Sequence, residues 1–469
     1  MAQNVAQHWR ASIPTEPSTR SYWHQQLDSN LEALTEGELP KSADYVIIGS
    51  GLTGSLVAYD LARTLPTATS IVVLEARHAA SGATGRNGGH IKPGRIAFFN
   101  DWKERHGAQV AAAQVALEKA NYEETVAFIE QEQLAEEVEL VLLQAMDVAM
   151  NQQALEKLKT AWENLRRVGA DTSDMQFHQE PETAEAVRIP QCLAAVSYPA
   201  ASVWPYKLAT AVLRKAIGLG VKLYTSTPVK SIDKAVYEPF WTIQTPRGSL
   251  QAGSIIHATN GYASSILPEL TDKLVPCKGH AAAALPPKAY FESPLQNTYG
   301  IHWGDDYDYL IQKHHHARPL IYGGRDLVGS GDTFVGVGDS DDSTLNNSIA
   351  ESLRNFPFET FKDWKSEENE TCPGDTQVWS GIMGFTIDDF PFVGRVPGRS
   401  GQFISAGYGG SGMARAFLCS KALCQLIRGE EVDKRIPSFY FDLDKRWTTP
   451  ETISAQIAEW KAMTAESAV

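Results

Sequence analysis

The sequence predicts an α/β protein of two interleaved units, and three observations predict it. A buried-strand pattern, "ADYVIIG", runs straight into a glycine turn and a helical stretch, "LTGSLVAYDLARTL", and a second buried strand, "SIVVLEA", follows. Short strands fill the middle from "VKLYTST" to "SIIHATNGY", and "KLVPCKGHAAAALP" and "YDYLIQKHHHARPLIYGG" after them suggest an antiparallel sheet. A strand, a glycine turn and a helix return near the end in "GQFISAGYGGSGMARAFLCSKALCQLIRG". With 469 residues the chain exceeds one ordinary core. The reading is a three-layer Rossmann-like unit assembled from separated segments, 43–100, 190–270 and 375–430. It is interleaved with an antiparallel-sheet α+β unit, 101–189 and 271–374.

The elements follow in order. Residues 1–42 are polar, with Pro14, Pro17 and Pro40, and read as an arm on the surface, helical near Tyr22–Leu34. After the first βαβ pattern comes the glycine-rich loop "SGATGRNGGHIKPG". "GAQVAAAQVALEKANYEETVAFIEQEQL" has helical periodicity and strong helix formers. "VELVLLQAMDVAM" reads as a strand or hairpin, and "QQALEKLKTAWENLRRVG" as a helix stopped by Gly169. "PYKLATAVLRKAIGLG" opens with proline and closes with glycine, the usual asymmetry of a helix. "IAESLRNF" is helical, and 431–469 forms a tail packing on the first unit.

Composition narrows the function. Apolar residues are 43% and charged residues 21%, ordinary values for a globular protein. A net charge of −14 disfavours nucleic acid and anionic membrane partners, which need clustered cations. No apolar run reaches spanning length, and the start lacks a hydrophobic secretory core. Five scattered cysteines, Cys192, Cys277, Cys372, Cys419 and Cys424, without a Cys-x-x-Cys pair, argue against a disulfide framework or zinc site. They suit a reducing compartment, and the cytoplasm is the expected location. Cys419 and Cys424 lie in an apolar helix and are expected buried. No metal site is expected. His314–His316 falls at a hairpin tip, where extended neighbours point to opposite faces.

The glycine turn carries specific chemistry. In Gly49-x-Gly51-x-x-Gly54 the first glycine permits the tight turn, the second admits a pyrophosphate, and the third lets helix and strand pack closely. The backbone N–H groups of Leu52 and Thr53 would face the phosphates. Glu75 ends the second strand, where a ribose ligand is expected, and Ala76 and Arg77 follow it. The turn does not choose between NAD and FAD. The next segment does: Gly82, Ala83 and Thr84, then Arg86, Asn87, Gly88 and Gly89, stand where a nicotinamide enzyme would have another βα unit. Such a run of small residues suits backbone passing along a long ligand, as FAD requires.

On these motifs, with "ATNGY" at Ala258–Tyr262, "FPFVGRVP" at Phe390–Pro397 and "GYGGSGM" at Gly407–Met413, residues 43–430 resemble the flavin-dependent amine and amino-acid oxidases. That family includes glycine oxidase, sarcosine oxidase and D-amino-acid oxidase, and the pattern is nearest the branch containing gamma-glutamylputrescine oxidase. The resemblance implies that Val229 meets the adenine and that Ala258, Thr259 and Gly261 lie near the pyrophosphate. Arg86 to Gly89 would line the ribityl chain and flavin. Gly409, Gly410, Ser411, Gly412 and Met413 would present N–H groups to the N1–C2 edge of the flavin. There the opening of a helix also suits the negative charge of reduced flavin.

Departures from the family pattern refine the expectation. Met383 and Asn87 stand where some relatives link FAD covalently, so FAD is expected to bind non-covalently, although His90 lies nearby. Ala414 stands where sarcosine-type enzymes carry a carboxylate-binding lysine, and Ser411 where a histidine is common. That tilts the substrate towards an amine, or towards a carboxylate held elsewhere, with Lys92 and Arg95 as candidate cations. Pocket walls are expected from Lys92, Trp303, Tyr307, Trp379 and Phe385. Tyr299, Trp303, Tyr307 and Tyr309 could clamp an amine by cation–π contact, and the same rings equally suit packing of the sheet. The candidate catalytic side chains are His302 as proton acceptor, Tyr309, and Lys278 over the flavin during reoxidation.

The implied reaction is oxidation of a C–N bond of a primary or secondary amine, or an amino acid, to an imine. O2 would be the acceptor and H2O2 the product. The alternatives are a flavin dehydrogenase using a quinone or carrier, a tailoring oxidase of secondary metabolism, and a non-catalytic dinucleotide sensor. Oligomeric state is left open.

Overall fold

The computed structural model describes residues 9–33, 37–179, 187–234, 240–304, 306–315, 317–332, 334–362, 364 and 375–466. Strands Gln402–Ala406, Gly248–His257, Ser42–Ile48, Ile71–Leu74 and Lys222–Tyr224 lie side by side in that order, all parallel. Phe392–Arg395 closes one edge in antiparallel register. Side-chain alternation divides the two faces. Ile47, Ile71 and Val73 pack with Val57, Leu61, Val212 and Leu423 from helices Leu52–Thr64, Pro205–Gly218 and Ala416–Arg428. Val46, Ile48, Val72 and Leu74 pack instead with Trp241, Ile243 and Leu250 of the meander built from Ser231–Lys234, Trp241–Thr245 and the start of Gly248–His257. Helices, sheet and meander are the three layers the sequence predicted.

A second sheet of nine strands runs Gln377–Thr386, Leu274–Ala284, Leu320–Gly323, Tyr307–Gln312, Thr298–His302, Val141–Ala149, Ala194–Ser202 and His90–Ile91, with Gln176–Gln179 also pairing Ala194–Ser202. It is antiparallel except where Thr298–His302 runs parallel to Val141–Ala149. A parallel pair needs a long crossover, and here the crossover carries a large part of the nucleotide unit.

Sheet membership moves the segment limits expected from sequence. His90–Ile91, Ala194–Ser202 and Gln377–Thr386, expected in the first unit, pair in the second sheet. Helix Ala108–Gln131, expected in the second unit, sends Val115 and Leu117 into the core shared with helix Ala416–Arg428. Hydrophobic periodicity marks a strand without saying which sheet it joins.

The described part of the N-terminal arm lies only partly on the surface, and Tyr22, Trp23 and His24 are buried. Trp23 is fully buried and its Nε1 donates to the Asn87 carbonyl at 2.6 Å. Among the described residues of the arm, Tyr22–His24 and Ser29–Ala33 are helical, and Leu34 lies outside the described residues. A large ring released from a polar context still buries if a cavity is offered, and polarity of the neighbours hid this. At the other end, Leu443, Trp447 and Ile453 join a cluster with Phe392, Val396 and Ile404. Cys419 and Cys424 are buried as expected, and no described cysteine is bonded to another. His314 and His315 occupy the connection between strands Tyr307–Gln312 and Leu320–Gly323, and His316 lies outside the described residues. No described helix is long and apolar enough to cross a membrane, and no described cluster of ligands could hold a metal.

Candidate active site

One elongated cavity of about 470 Å³ joins the two units. At one end it is lined by Gly49, Gly51, Glu75, Thr227 and Val229, and at the other by His90, Lys92, Tyr307, Tyr309 and Asp326. The glycine turn holds the first end open. A Cβ on Gly54 would stand 1.9 Å from the Gly49 carbonyl oxygen, so helix Leu52–Thr64 sits hard against the strand that precedes it. Gly51 caps this helix without a side chain, and Leu52 N–H donates to Thr84 Oγ1 at 2.9 Å. Glu75 Oε2 accepts from Ser50 N–H at 3.0 Å and from Ser50 Oγ at 2.7 Å, which fixes the carboxylate beside the turn.

The second glycine turn faces the first. Gly407, Gly409 and Gly410 all have positive φ, a backbone shape that suits glycine. Asn260, itself at φ 44, accepts from Gly407 N–H at 2.9 Å through Oδ1 and so ties "ATNGY" to "GYGGSG". Tyr408 Oη lies 3.0 Å from Thr53 Oγ1 and 2.7 Å from Ser405 Oγ. The α-helix begins only at Ala416, after a 3₁₀ turn at Gly412–Ala414.

Of the residues expected at the cofactor, all line the cavity except Gly54, Gly89 and Gly261. Those three act as close-packing points. A Cβ on Gly89 would meet the Trp23 ring at 2.5 Å, and one on Gly261 the Met383 carbonyl oxygen at 2.3 Å. Arg86 lines the wall, but its guanidinium is committed behind it. Nη1 donates to the Thr19 and Ser380 carbonyls at 2.8 Å each, and Nε to the Ser81 carbonyl at 2.8 Å. Arg77 Nη1 binds Asp342 at 2.8 Å, with both side chains buried. Asn87 is spent within its own loop, donating to the Thr84 carbonyl and accepting from Gly89 N–H.

Lys92, Tyr307 and Tyr309 meet at the far end, and Phe385 also lines the cavity. Lys92 Nζ lies 2.8 Å from Asp147 Oδ1, and His302 Nε2 lies 3.1 Å from the same oxygen. Tyr198 Oη donates to the other. Burial would raise the Asp147 carboxyl, but the Lys92 ammonium and the His302 contact outweigh it and hold it well below the usual range. Burial, then Lys92, pushes His90 down to about 3, so this imidazole is neutral. Tyr309 is wedged in place: Cβ atoms on Gly88 and Gly323 would fall 2.5 Å and 2.3 Å from its ring and hydroxyl.

Other expected residues are not brought to the cavity. Lys278 Nζ turns away to Asp339 at 2.6 Å and Thr344 at 3.0 Å. His302 stands behind Lys92 on Asp147 and is absent from the lining. Trp379 is fully buried and donates to the Arg86 carbonyl at 2.8 Å, which supports the loop from behind. Trp303 Nε1 donates to Asp308 at 2.8 Å. Arg95 is held by Asp174 at 3.1 Å. In each case a hydrogen-bond or ion-pair partner in the protein holds the side chain. Ala414 is buried in the wall, and the neighbouring Arg415 pairs with buried Glu118 at 2.8 Å.

Three buried polar atoms of lining residues find no protein partner: Thr259 Oγ1, His280 Nδ1 and Asp326 Oδ1. His280 Nε2 accepts from Asn346 N–H at 2.9 Å, which leaves the proton on Nδ1. Orphaned groups around one cavity, with a glycine cradle, fit a polar ligand such as FAD. Sequence reasoning missed Asn260, His280 and Asp326. The Asn-Gly pair was a turn signal for the first, while nothing local marked the other two.

A dinucleotide cradle on a parallel sheet, facing a side-chain-lined chamber under a second sheet, defines a nucleotide-dependent oxidoreductase. The chain belongs to the DAO family of FAD-dependent oxidoreductases, whose profile matches residues 44–426. It is 23% identical over 418 residues to a probable oxidoreductase, OrdL, of Rhizobium meliloti (strain 1021), covering 85% of this chain and 87% of that protein. It is also 23% identical over 409 residues to gamma-glutamylputrescine oxidoreductase of Escherichia coli (strain K12), covering 83% and 84%. In fold it is similar to glycine oxidase from Geobacillus kaustophilus, with a TM-score of 0.67, 20% identity, and 88% and 100% of the two chains covered.

Proposed function

We propose that this FAD-dependent oxidoreductase oxidises the C–N bond of an amine or amino acid to an imine, which water hydrolyses to a carbonyl compound and an amine. O2 is the proposed acceptor and H2O2 the product. The observation that carries the reading is one cavity with a glycine cradle at one end and a chamber lined by Tyr307, Tyr309 and Phe385 at the other. Bound FAD supplies the two-electron acceptor. Gly49, Gly51, Leu52, Thr53 and Glu75 would hold its nucleotide half, and Gly409–Met413 would offer donors at the other. Tyr307, Tyr309 and Phe385 exclude water and orient the substrate carbon. With Met383 a thioether and Asn87 bound within its loop, FAD is held without a covalent bond. Free buried thiols fit the cytoplasm.

Purified protein should be yellow and release its flavin on acid precipitation. Anaerobic addition of amines should bleach it, and air should restore the colour with peroxide formed. A bleached protein that recolours only with a quinone or carrier would assign the dehydrogenase alternative. A coloured protein that no amine or amino acid bleaches would defeat the reading.

A further inference from the structure

The lining cations are Arg77, Arg86 and Lys92, and the donors of each are already committed to protein acceptors. Arg77 and Arg86 share Asp342, and Lys92 lies on Asp147. Arg415, next to the wall residue Ala414, is matched by Glu118. A substrate carboxylate entering this chamber would find no spare ammonium or guanidinium among the described residues.

The opposite holds for negative charge. Asp326 lines the cavity close to Tyr309, which itself packs on Gly88 of the loop after Glu75. No described cation pairs with Asp326, and its Oδ1 is buried without a donor. Its two acidic neighbours are satisfied differently. Asp308 accepts from Trp303 Nε1 and Arg325 N–H at 2.8 Å each, with Arg325 Nη1 at 3.6 Å. Asp306 accepts from Tyr307 N–H at 3.0 Å and Val328 N–H at 3.1 Å. Arg325 also serves Glu359 at 3.0 Å, so this guanidinium does not balance three aspartates. The remaining groups facing Asp326, Tyr309 and the Cys277 thiol, are pushed up by burial and carry no charge at neutral pH. Burial, then Asp306 and Asp308, raises the Asp326 carboxyl itself to about 7. A buried carboxyl in that state lacks a counter-ion, and a bound cation would supply one.

We propose that Asp326 is the ammonium anchor of the substrate site, and that it selects a cationic primary or secondary amine without an α-carboxylate. This rests on the amine-oxidising reading above. Selection works by attraction at Asp326 and by the lack of any free partner for a carboxylate elsewhere in the chamber.

The test uses the FAD-loaded enzyme and butyltrimethylammonium, a permanent cation with no N–H to lose, titrated calorimetrically at pH 5.5 and 8.5. Because the probe does not titrate, wild-type affinity should rise about tenfold with pH as the carboxyl ionises. Asp326→Asn should weaken binding at pH 8.5 at least about tenfold and shrink the pH dependence to the part contributed by Asp308, whose carboxyl burial also pushes up to about 7. Wild-type affinity independent of pH, or an unchanged affinity in Asp326→Asn, overturns the anchor. The wild-type titration needs no variant to fold. Anaerobic bleaching separates the two readings. If the probe binds through Asp326 but butylamine and other amines leave the flavin coloured, the reaction falls and the anchor stands. If α-amino acids bleach wild type and Asp326→Asn equally fast, the reaction stands and the anchor falls.

Discussion

The two ends of the cavity are built by different means. The cofactor cradle is made of backbone: Gly49, Gly51 and Gly54 in one turn, Gly407, Gly409 and Gly410 in another that faces it, with Asn260 pinning the second. Its geometry is fixed by steric contact between main-chain atoms, which tolerates almost no change. The substrate end is made of side chains from several strands of the nine-stranded sheet and is governed by which charges are paired. Lys92 and Asp147 cancel, and Asp326 does not. The first end suits one cofactor rigidly. The second can be retuned one charge at a time without disturbing the first.

The largest effect should come from breaking the backbone end. In Gly54→Val the new Cβ would fall 1.9 Å from a main-chain oxygen, and no rotamer relieves a contact between two backbone-fixed atoms. A cost of about 3 kcal/mol or more is expected, and the protein should purify without its flavin band. Next comes Asp147→Ala, which strands the buried Lys92 ammonium. Urea unfolding should show a loss of about 3–5 kcal/mol, largely recovered in Asp147→Asn/Lys92→Met, with flavin still bound. Loss of flavin in that double variant would contradict the independence of the two ends.

A smaller effect of opposite sign is expected at Asp326. Burial, then Asp306 and Asp308, pushes its carboxyl up to about 7 in the folded chain, against about 3.9 unfolded. Between those values the folded state binds more protons, so this group costs stability as pH rises through the window. Asp326→Asn cannot ionise. Calorimetry should find it close to wild type near pH 4 and more stable near pH 8, by at most about 4 kcal/mol. The smallest effect belongs to Lys278→Met. The side chain points to a partly exposed Asp339, so stability should change by less than about 1 kcal/mol. Stopped-flow reoxidation by O2 should be unaltered, and a slowed rate would return Lys278 to the flavin.

The sequence by itself determined the elements whose partners are near in the chain. The turn at Gly49–Gly54, Glu75 some twenty residues on, and the glycine loop after it follow from local spacing, because a βαβ unit closes over a short stretch. The existence of the strands followed from their periodicity, and the three-layer arrangement from the βαβ pattern together with the family resemblance. Tertiary structure alone decided which sheet Ala194–Ser202 and Gln377–Thr386 join, and that Trp23 of a polar arm is buried against Asn87. It also decided the charge state of the chamber. Arg77 meets Asp342 265 residues away, and Lys92 meets Asp147 55 residues away. Charge balance depends on contacts between distant segments, and no local pattern records that Asp326 was left without one.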